Sequence, residues 1–389
     1  TILSRHPEII KIRTKSSQIK AELVALQNQL PRVMVMSDAQ PRKTFRYDRG
    51  SYDMPREEVT SNTPEALPPM DPSLPKNRLG LVRWLVSEAN PLTARVHVNR
   101  LWQLYFGKGI VKTSENFGLG GDLPTHPALL DWLAVEFRES GWDVKHMHRL
   151  IVTSATYRQS SKVTTEMLQR DPENKLYTRA SRFRMSSLIL RDYALHTSGL
   201  LQTPLYGKPV YPYQPATIWD GLSITKERDF TFPQSKGPDL YRRSIYTFWR
   251  RTVAPGNMFD SAARRTCEVK VTLTSTPLHA LTTLNDTTWV EASRSLAQRL
   301  MLGGSDPADW VKDAFSSVCM RQPDAVELRL LQAAWEKALA HFRAQPQAAN
   351  ELLAIGASAR DPQRDPVQHA ALTHVCLTIY NLDEALTRQ

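Results

Sequence analysis

The chain has 389 residues, 41% of them hydrophobic and 8% aromatic, a composition that builds a folded core and excludes a disordered, fibrous or low-complexity protein. The formal net charge is +11, but residues 300–389 hold 8 Lys or Arg against 11 Asp or Glu, so the positive excess lies upstream. No apolar run reaches the roughly 18 to 20 residues that span a bilayer, and Cys267, Cys319 and Cys376 are too few and too scattered for a disulfide framework or a CxxC metal or haem site.

Residues 7–30 carry Ile9, Ile12, Ile19, Leu23, Leu26 and Leu30 at roughly helical spacing and stop at Pro31, which predicts a helix. Residues 31–78 are rich in Pro, Asp, Arg and Ser and read as an irregular lead-in with extended pieces at Arg32–Met36 and Thr44–Tyr52. A compact body then opens with a helix over Leu79–Leu85. Asn90 as cap and Pro91 at the first helical position start a second helix that runs to Phe106, where Gly107 and Gly109 break it. Further helices are predicted from Thr125 to Gly141, Val144 to Tyr157 and Ser187 to Ser198. Pro and aromatic residues then replace helical period, predicting a loop-rich, short-strand insertion around residues 200–256. Helical pattern returns over Pro277–Leu302, Trp310–Cys319, Asp324–Phe342 and Asp365–Leu386. The expected fold is mainly α, a multi-helix body over residues 79–389 whose two helical lobes, 79–200 and 277–389, are joined by 201–276.

Several long strings, in order, carry a family resemblance: NPLTARVHVNRLWQLYFGKGIVKT (Asn90–Thr113), THPALLDWLAVEF (Thr125–Phe137), HRLIVTSATYRQ (His148–Gln159), PYQPATIWD (Pro212–Asp220), LYRRSIYTFWRR (Leu240–Arg251), STPLHALTTLND (Ser275–Asp286) and NLDEALTR (Asn381–Arg388). The chain resembles the planctomycete-specific domain PSD-one, domain of unknown function 1553, from Leu79 onward. RGSYDMPREEV (Arg49–Val59) is similar to the lead-in of that family. The resemblance implies context: an extracytoplasmic domain, in the periplasm or at the cell surface, behind other domains of a larger exported polypeptide, often with a haem c domain upstream. In that setting Thr1 to Leu30 is expected to come from the upstream part or its linker, and no cofactor is expected in this fragment itself. The chain departs from the family where Ser275 and His279 stand in place of the usual Asn and Gln, and where Leu188 stands in place of a Glu.

Two constellations are candidates for function. Arg95, His97, Asn99 and Arg100 crowd one helix, followed by Asp122, His126 and Asp131. Arg95 and Asn99 share a helical face and could present several donors to a carboxylate, sulfate or phosphate; the competing reading has them satisfy internal carbonyls and carboxylates, Asp131 among them. His146 and His148 point about 200° apart on a helix, which does not suit a shared metal ion, and His126 beside Pro127 reads as part of a helix cap. Metal is not expected. The second constellation, Tyr241, Arg242, Arg243, Tyr246, Trp249 and Arg250, interleaves cations with rings inside a region, 176–270, that holds 15 Lys or Arg against 7 Asp or Glu. Read as a strand it has two mixed faces; its arginines can equally brace the fold by stacking. No nucleic-acid module accompanies the charge. No GxSxG elbow, P-loop or assignable carboxylate pair is present. The expectation is a recognition or assembly module for an anionic polymer such as an acidic or sulfated glycan. The alternative is a polysaccharide-active enzyme, a hydrolase or a cytochrome-linked oxidoreductase, with a polar pocket around Arg95, His97 and His126.

Overall fold

A computed structural model describes residues 6–30, 32–38, 42–215, 232–249, 257, 259–261, 268–269, 272–304 and 306–388. Arg250, Arg251, Asp220 and Cys267 lie outside the described residues. The fold is mainly α, with fourteen α-helices and two small two-stranded sheets among the described residues. The chain divides into two compact units, residues 1–93 and 94–389.

In the first unit, α1 (Pro7–Gln29) starts on a proline and buries no residue; Ile10, Ile12, Ile19, Leu23 and Leu26 are exposed along it. The lead-in is more ordered than its composition suggests, since β1 (Thr44–Tyr47) and β2 (Pro55–Val59) form an antiparallel hairpin with Thr44 opposite Val59. Its turn is made by Arg49 and Gly50, both at positive φ. The helix α2 (Arg78–Leu85) is capped by the Asn77 side chain, which accepts from Gly80 N–H, and the Trp84 indole donates to the Pro68 carbonyl at 2.8 Å.

The second unit opens with α3 (Thr93–Phe106). The Asn90 carboxamide accepts from the N–H groups of Leu92 and Thr93, so the cap holds a turn around Pro91 and the helix begins two residues later than the sequence predicts. With α4 (Pro127–Glu139) and α5 (Val144–Thr153) it closes a first core of Val98, Leu101, Trp102, Leu133, Phe137, Met147 and Ile151. The prediction that α5 reaches Tyr157 fails. The Thr153 and Ser154 hydroxyls bond back to Arg149 and Ile151 carbonyls, and Ser154 Oγ then accepts from Tyr157 N–H, drawing the backbone into a turn. The short α6 (Thr165–Arg170) follows, then β3 (Phe183–Arg184) and α7 (Ser187–Ser198), which ends on Gly199 at φ 82°.

Residues 201–215 and 232–249 are loops with two isolated parallel bridges, Gln202 to Arg242 and Val210 to Thr247. The strand reading is overturned over 241–249: Gly237–Tyr241 and Ser244–Tyr246 are 3-10 turns, so no alternation of faces runs through the described part of that segment. The helical pattern over Pro277–Leu302 is two helices, α8 (Pro277–Asn285) and α9 (Thr287–Gly303), separated by Asp286, which ends one and caps the other by accepting from Thr288 N–H. Then come α10 (Pro307–Cys319), α11 (Ala325–Ala344) with a full capping box between Asp324 and Glu327, α12 (Pro346–Leu353), α13 (Pro366–Tyr380), α14 (Asp383–Leu386) and β4 (Thr387–Arg388). Helix α13 is apolar on nearly every side, as a central helix must be, and is packed against by α9, α10, α11 and α12; α7 lies on α9. This second core holds Leu296, Phe315, Trp335, Leu372, Ile379 and Tyr380.

A buried polar network fixes the loop after α12. Glu291 on α9 is fully buried; its Oε1 accepts from Tyr241 Oη at 2.8 Å and from Ser358 N–H at 2.6 Å. Gly356 sits over this carboxylate at φ 93°, and a Cβ there would lie 2.3 Å from Glu291 Cδ. The substitution Gly356→Ala combines a left-handed backbone with a collision against an immobile side chain. It should destabilise the unit by about 2 kcal/mol or more in urea denaturation; a wild-type midpoint would show that the loop can move away freely.

Candidate anion-binding trough

The trough is built where α3 ends. Gly107 takes φ 74°, and its missing side chain lets Phe183 approach to 3.1 Å of the Cβ position. Phe183 belongs to β3, which pairs antiparallel with β4 so that Phe183 stands opposite Arg388. Gly107 and Phe183 line both a cavity of about 390 Å³ on one side and a groove of about 740 Å³ on the other, so the two are adjacent and share a wall.

The smaller cavity is framed by the loop over 171–180. Asp171 accepts from the N–H groups of Lys175 and Leu176, Asn174 donates to the Arg179 carbonyl, and Arg179 donates to the carbonyls of Asp171 and Pro172. Thus stapled, with Asn174 and Tyr177 at positive φ, the loop holds out Glu173 and Lys175. Lys112, Lys108 and Lys175 converge on Glu173 at 3.4, 3.6 and 3.9 Å. The Lys112 hydrogen bond, then the charges of Lys112, Lys175 and Lys108, hold the Glu173 carboxyl below its ordinary range, so it is ionised and still outnumbered three to one. Arg179, buried among its carbonyls, has one guanidinium nitrogen without a partner among the described residues.

In the larger groove Arg388 is held by rings instead of carboxylates: its guanidinium lies 4.3 Å from the centre of Tyr157, 5.5 Å from Tyr105 and 5.6 Å from Phe183. Burial lowers its pKa from the ordinary arginine value, and no carboxylate pairs with it among the described residues. Arg100 is exposed on the same wall and makes no ion pair among the described residues. The Tyr105 hydroxyl and His148 Nδ1 are 2.6 Å apart, joining α3 to α5. Burial, then the neighbouring Tyr157, raises the Tyr105 phenol, so it rests protonated. Together the two cavities are lined by seven Lys or Arg and one carboxylate, Glu173, among the described residues. Of the seven, Arg182 pairs with Asp383 and Arg179 is engaged with main-chain carbonyls.

The residues singled out in the sequence fall in several places. Arg95 pairs with Asp131 at 2.7 Å across α3 and α4. Asn99 is fully buried: its Oδ1 accepts from Val111 N–H at 2.8 Å, and its Nδ2 donates to the Val111 carbonyl at 3.0 Å and to Ser114 Oγ at 3.1 Å. Arg95 and Asn99 therefore offer no common donor surface. His97 stacks on Phe137 at 4.7 Å and 9°, with Nε2 buried, and burial first, then the charges of Arg100 and His148, lower its pKa and keep it neutral. His126 is the N-cap residue of α4, but its Nδ1 meets Thr125 Oγ1 at 3.0 Å and its ring lies 5.4 Å from Tyr177, so it flanks the smaller cavity. Asp122 is exposed on the preceding turn, and only Arg100 lines the groove itself.

In the second constellation, Tyr241 and Arg242 are buried. Tyr241 donates to Glu291; Arg242 donates to the carbonyls of Lys208, Pro204 and Tyr206 and stacks at 4.1 Å on Tyr246. Arg243 is exposed, while Tyr246 and Trp249 are half-buried. Tyr241, Arg242 and Tyr246 thus brace the fold. The sequence reading missed Tyr105, Lys108, Lys112, His148, Tyr157, Glu173, Lys175 and Arg388. All but Glu173 and Lys175 lie in the strings quoted above, yet nothing in sequence marks that Arg388 meets Tyr105.

Among the described residues no three His, Cys, Asp or Glu side chains are grouped to hold a metal ion, and no helix is long and apolar enough to cross a membrane. Burial raises the Cys319 thiol to about 12 and pushes Cys376 up as well, so neither is a ready nucleophile.

The fold is that of a mainly helical domain whose two adjacent cavities are lined mostly by cations among the described residues. Residues 77–335 match the family described as "Protein of unknown function (DUF1553)", and the chain belongs to that family. No curated protein and no solved structure matches it.

The burial of Asn99 gives a clean test of its role as a scaffold. Asn99→Leu fills similar space but strands the N–H and carbonyl of Val111, and should cost about 2–4 kcal/mol in chemical denaturation. A loss below about 0.5 kcal/mol would mean that the 109–114 turn finds other partners.

Proposed function

We propose that the chain is an extracytoplasmic recognition module that binds an acidic or sulfated glycan along the trough joining the two cavities. The observation that carries this reading is the charge balance of the lining, seven cations to one carboxylate, with Arg100 and Arg388 unmatched by any acidic group there among the described residues. Two adjacent cationic cavities suit a polymer with repeated charge better than a single small anion. Lysines on one side supply point charges for sulfate or carboxylate, and guanidinium groups on the other supply paired donors. The aromatic rings of the groove are half-buried and set edge-on to one another, as Tyr105 is to Tyr157 at 83°, so they offer less open face than base stacking requires. That favours a sugar polymer over a single-stranded nucleic acid. The exported setting, with upstream domains of the same polypeptide as partners and residues 1–78 leading into the body over 79–389, rests on the family resemblance.

Binding to a sulfated polysaccharide and to polygalacturonate should be measured by calorimetry at rising salt, with dextran and a homopolymeric RNA as controls. Affinity for the polyanionic glycans should fall steeply with ionic strength. Lys108→Gln with Lys112→Gln should weaken it about tenfold, roughly 1.4 kcal/mol, while Arg242→Gln lowers stability and leaves the salt dependence as it is. Equal affinity for dextran, or tighter salt-sensitive binding to RNA, would overturn the glycan assignment.

A further inference from the structure

The larger groove holds more than binding requires. A uronate polymer is cleaved without water or cofactor when the proton α to its carboxylate is removed and the glycosidic oxygen β to it departs. That chemistry needs three things in one place: cations or amide donors to hold the carboxylate and stabilise the carbanion, a group that can take and give a proton, and a relay that relieves it of its own proton. Arg388, Arg100 and Gln103 line the groove as donors; Tyr105 lines it as well, hydrogen-bonded at 2.6 Å to His148 Nδ1 and beneath the Arg388 guanidinium. No Asp or Glu lines it, so the two carboxylates of ordinary glycoside hydrolysis are not supplied there among the described residues.

We propose that this groove catalyses β-elimination on a uronate-containing polysaccharide, with Tyr105 as the proton-transferring catalytic residue, His148 as its positioning and relay residue, and Arg388 and Arg100 as the carboxylate clamp. This rests on the glycan-binding reading above and names its substrate class. The Tyr105 hydroxyl passes its proton to His148 Nδ1, and the phenolate oxygen, stabilised by Arg388, takes the proton α to the carboxylate. The electron pair of that C–H bond becomes the new C=C bond as the C–O bond to the leaving sugar breaks. Tyr105 protonates the departing oxygen, and His148 returns the borrowed proton. The products are one chain with an unsaturated uronate at its new end and one with a free hydroxyl; nothing is oxidised or reduced overall. The Tyr105 phenol, raised by burial, stays protonated between turnovers, so the base exists only while His148 holds the proton.

The test uses the whole chain with a mannuronate-rich alginate and a glucuronate polymer, in which the α proton and the leaving oxygen lie on one face as a single Tyr requires, following the ultraviolet absorbance of the unsaturated uronate and, separately, binding by calorimetry. Wild type should release unsaturated product. Tyr105→Phe should lose about 100-fold or more in kcat with polymer affinity retained, His148→Ala should lower kcat with KM held, and Arg388→Gln should raise KM and lower kcat together. Circular dichroism of each variant separates lost chemistry from lost folding. Binding without unsaturated product from either polymer overturns the elimination and leaves recognition standing; so does undiminished product from a folded Tyr105→Phe protein. Failure to bind any polyanion overturns both.

Discussion

The pairing of two dipeptides, Phe183–Arg184 with Thr387–Arg388, is the contact on which the trough depends. It is short, yet neighbouring bonds reinforce it: Met185 N–H donates to the Leu386 carbonyl, Arg182 pairs with Asp383, and Arg184 donates to Ser275 Oγ. Two hydrogen-bonded residue pairs would not order chain ends some two hundred residues apart by themselves, because loop closure and backbone ordering cost more than such a ladder returns. The cost is met by the cores on either side. The N-terminal core supplies Tyr105, Phe106 and Tyr157 as a surface for Arg388 and Phe183, and the α13-centred core sets α14 so that β4 emerges in register. The groove is thus a seam between two cores within one unit.

Charge illustrates why a sum over sequence misleads. The basic region 176–270 owes part of its excess to Arg191 and Arg242, which are buried and spend their donors on main-chain carbonyls: Arg191 on Arg242 and Leu240, Arg242 on Lys208, Pro204 and Tyr206. Guanidinium suits this use, since its planar fork satisfies several oxygens at once. Such cations contribute to stability and little to the outside field. Five of the seven cations that line the trough, Arg100, Lys108, Lys112, Lys175 and Arg388, come instead from α3, the turn after it, the 171–180 loop and β4, outside that basic region.

Much of the helical architecture was legible because its punctuation is local. Gly199 ends α7 in the left-handed conformation, Asp324 and Glu327 form a capping box, and prolines open α4, α8 and α13; α10, read from Trp310, begins three residues earlier at Pro307. Where polar side chains competed with the helix ladder, the sequence reading overran, as at Thr153 and Ser154, or merged two helices across Asp286. The hairpin over 44–59 was hidden because its burial pattern is almost entirely exposed, leaving no alternation to read. For the site, Arg95, Asn99 and Arg100 looked alike as polar helix positions, and only tertiary contacts separate an ion-paired Arg95, a buried Asn99 and an open Arg100. Tyr105 could have been noticed as an aromatic residue at a helix end, but its partners His148 and Arg388 come from distant segments.

The treatment of Arg388 is the feature that most distinguishes the trough from ordinary surface charge. A half-buried guanidinium is usually matched by a carboxylate, as even the exposed Arg321 is by Glu327 and Glu384 elsewhere in this unit. Around Arg388 three aromatic faces take that place. Rings return part of the lost hydration through their quadrupoles but carry no net charge, so they stabilise the cation without cancelling its field. An Asp or Glu at Tyr157 would steady Arg388 more firmly and neutralise the groove. The aromatic solution leaves a positive potential inside a partly dry cleft, where the interaction with an incoming carboxylate or sulfate is screened least. In the proposed reading, the same choice that makes Arg388 costly to bury is what gives the groove its attraction for an anion.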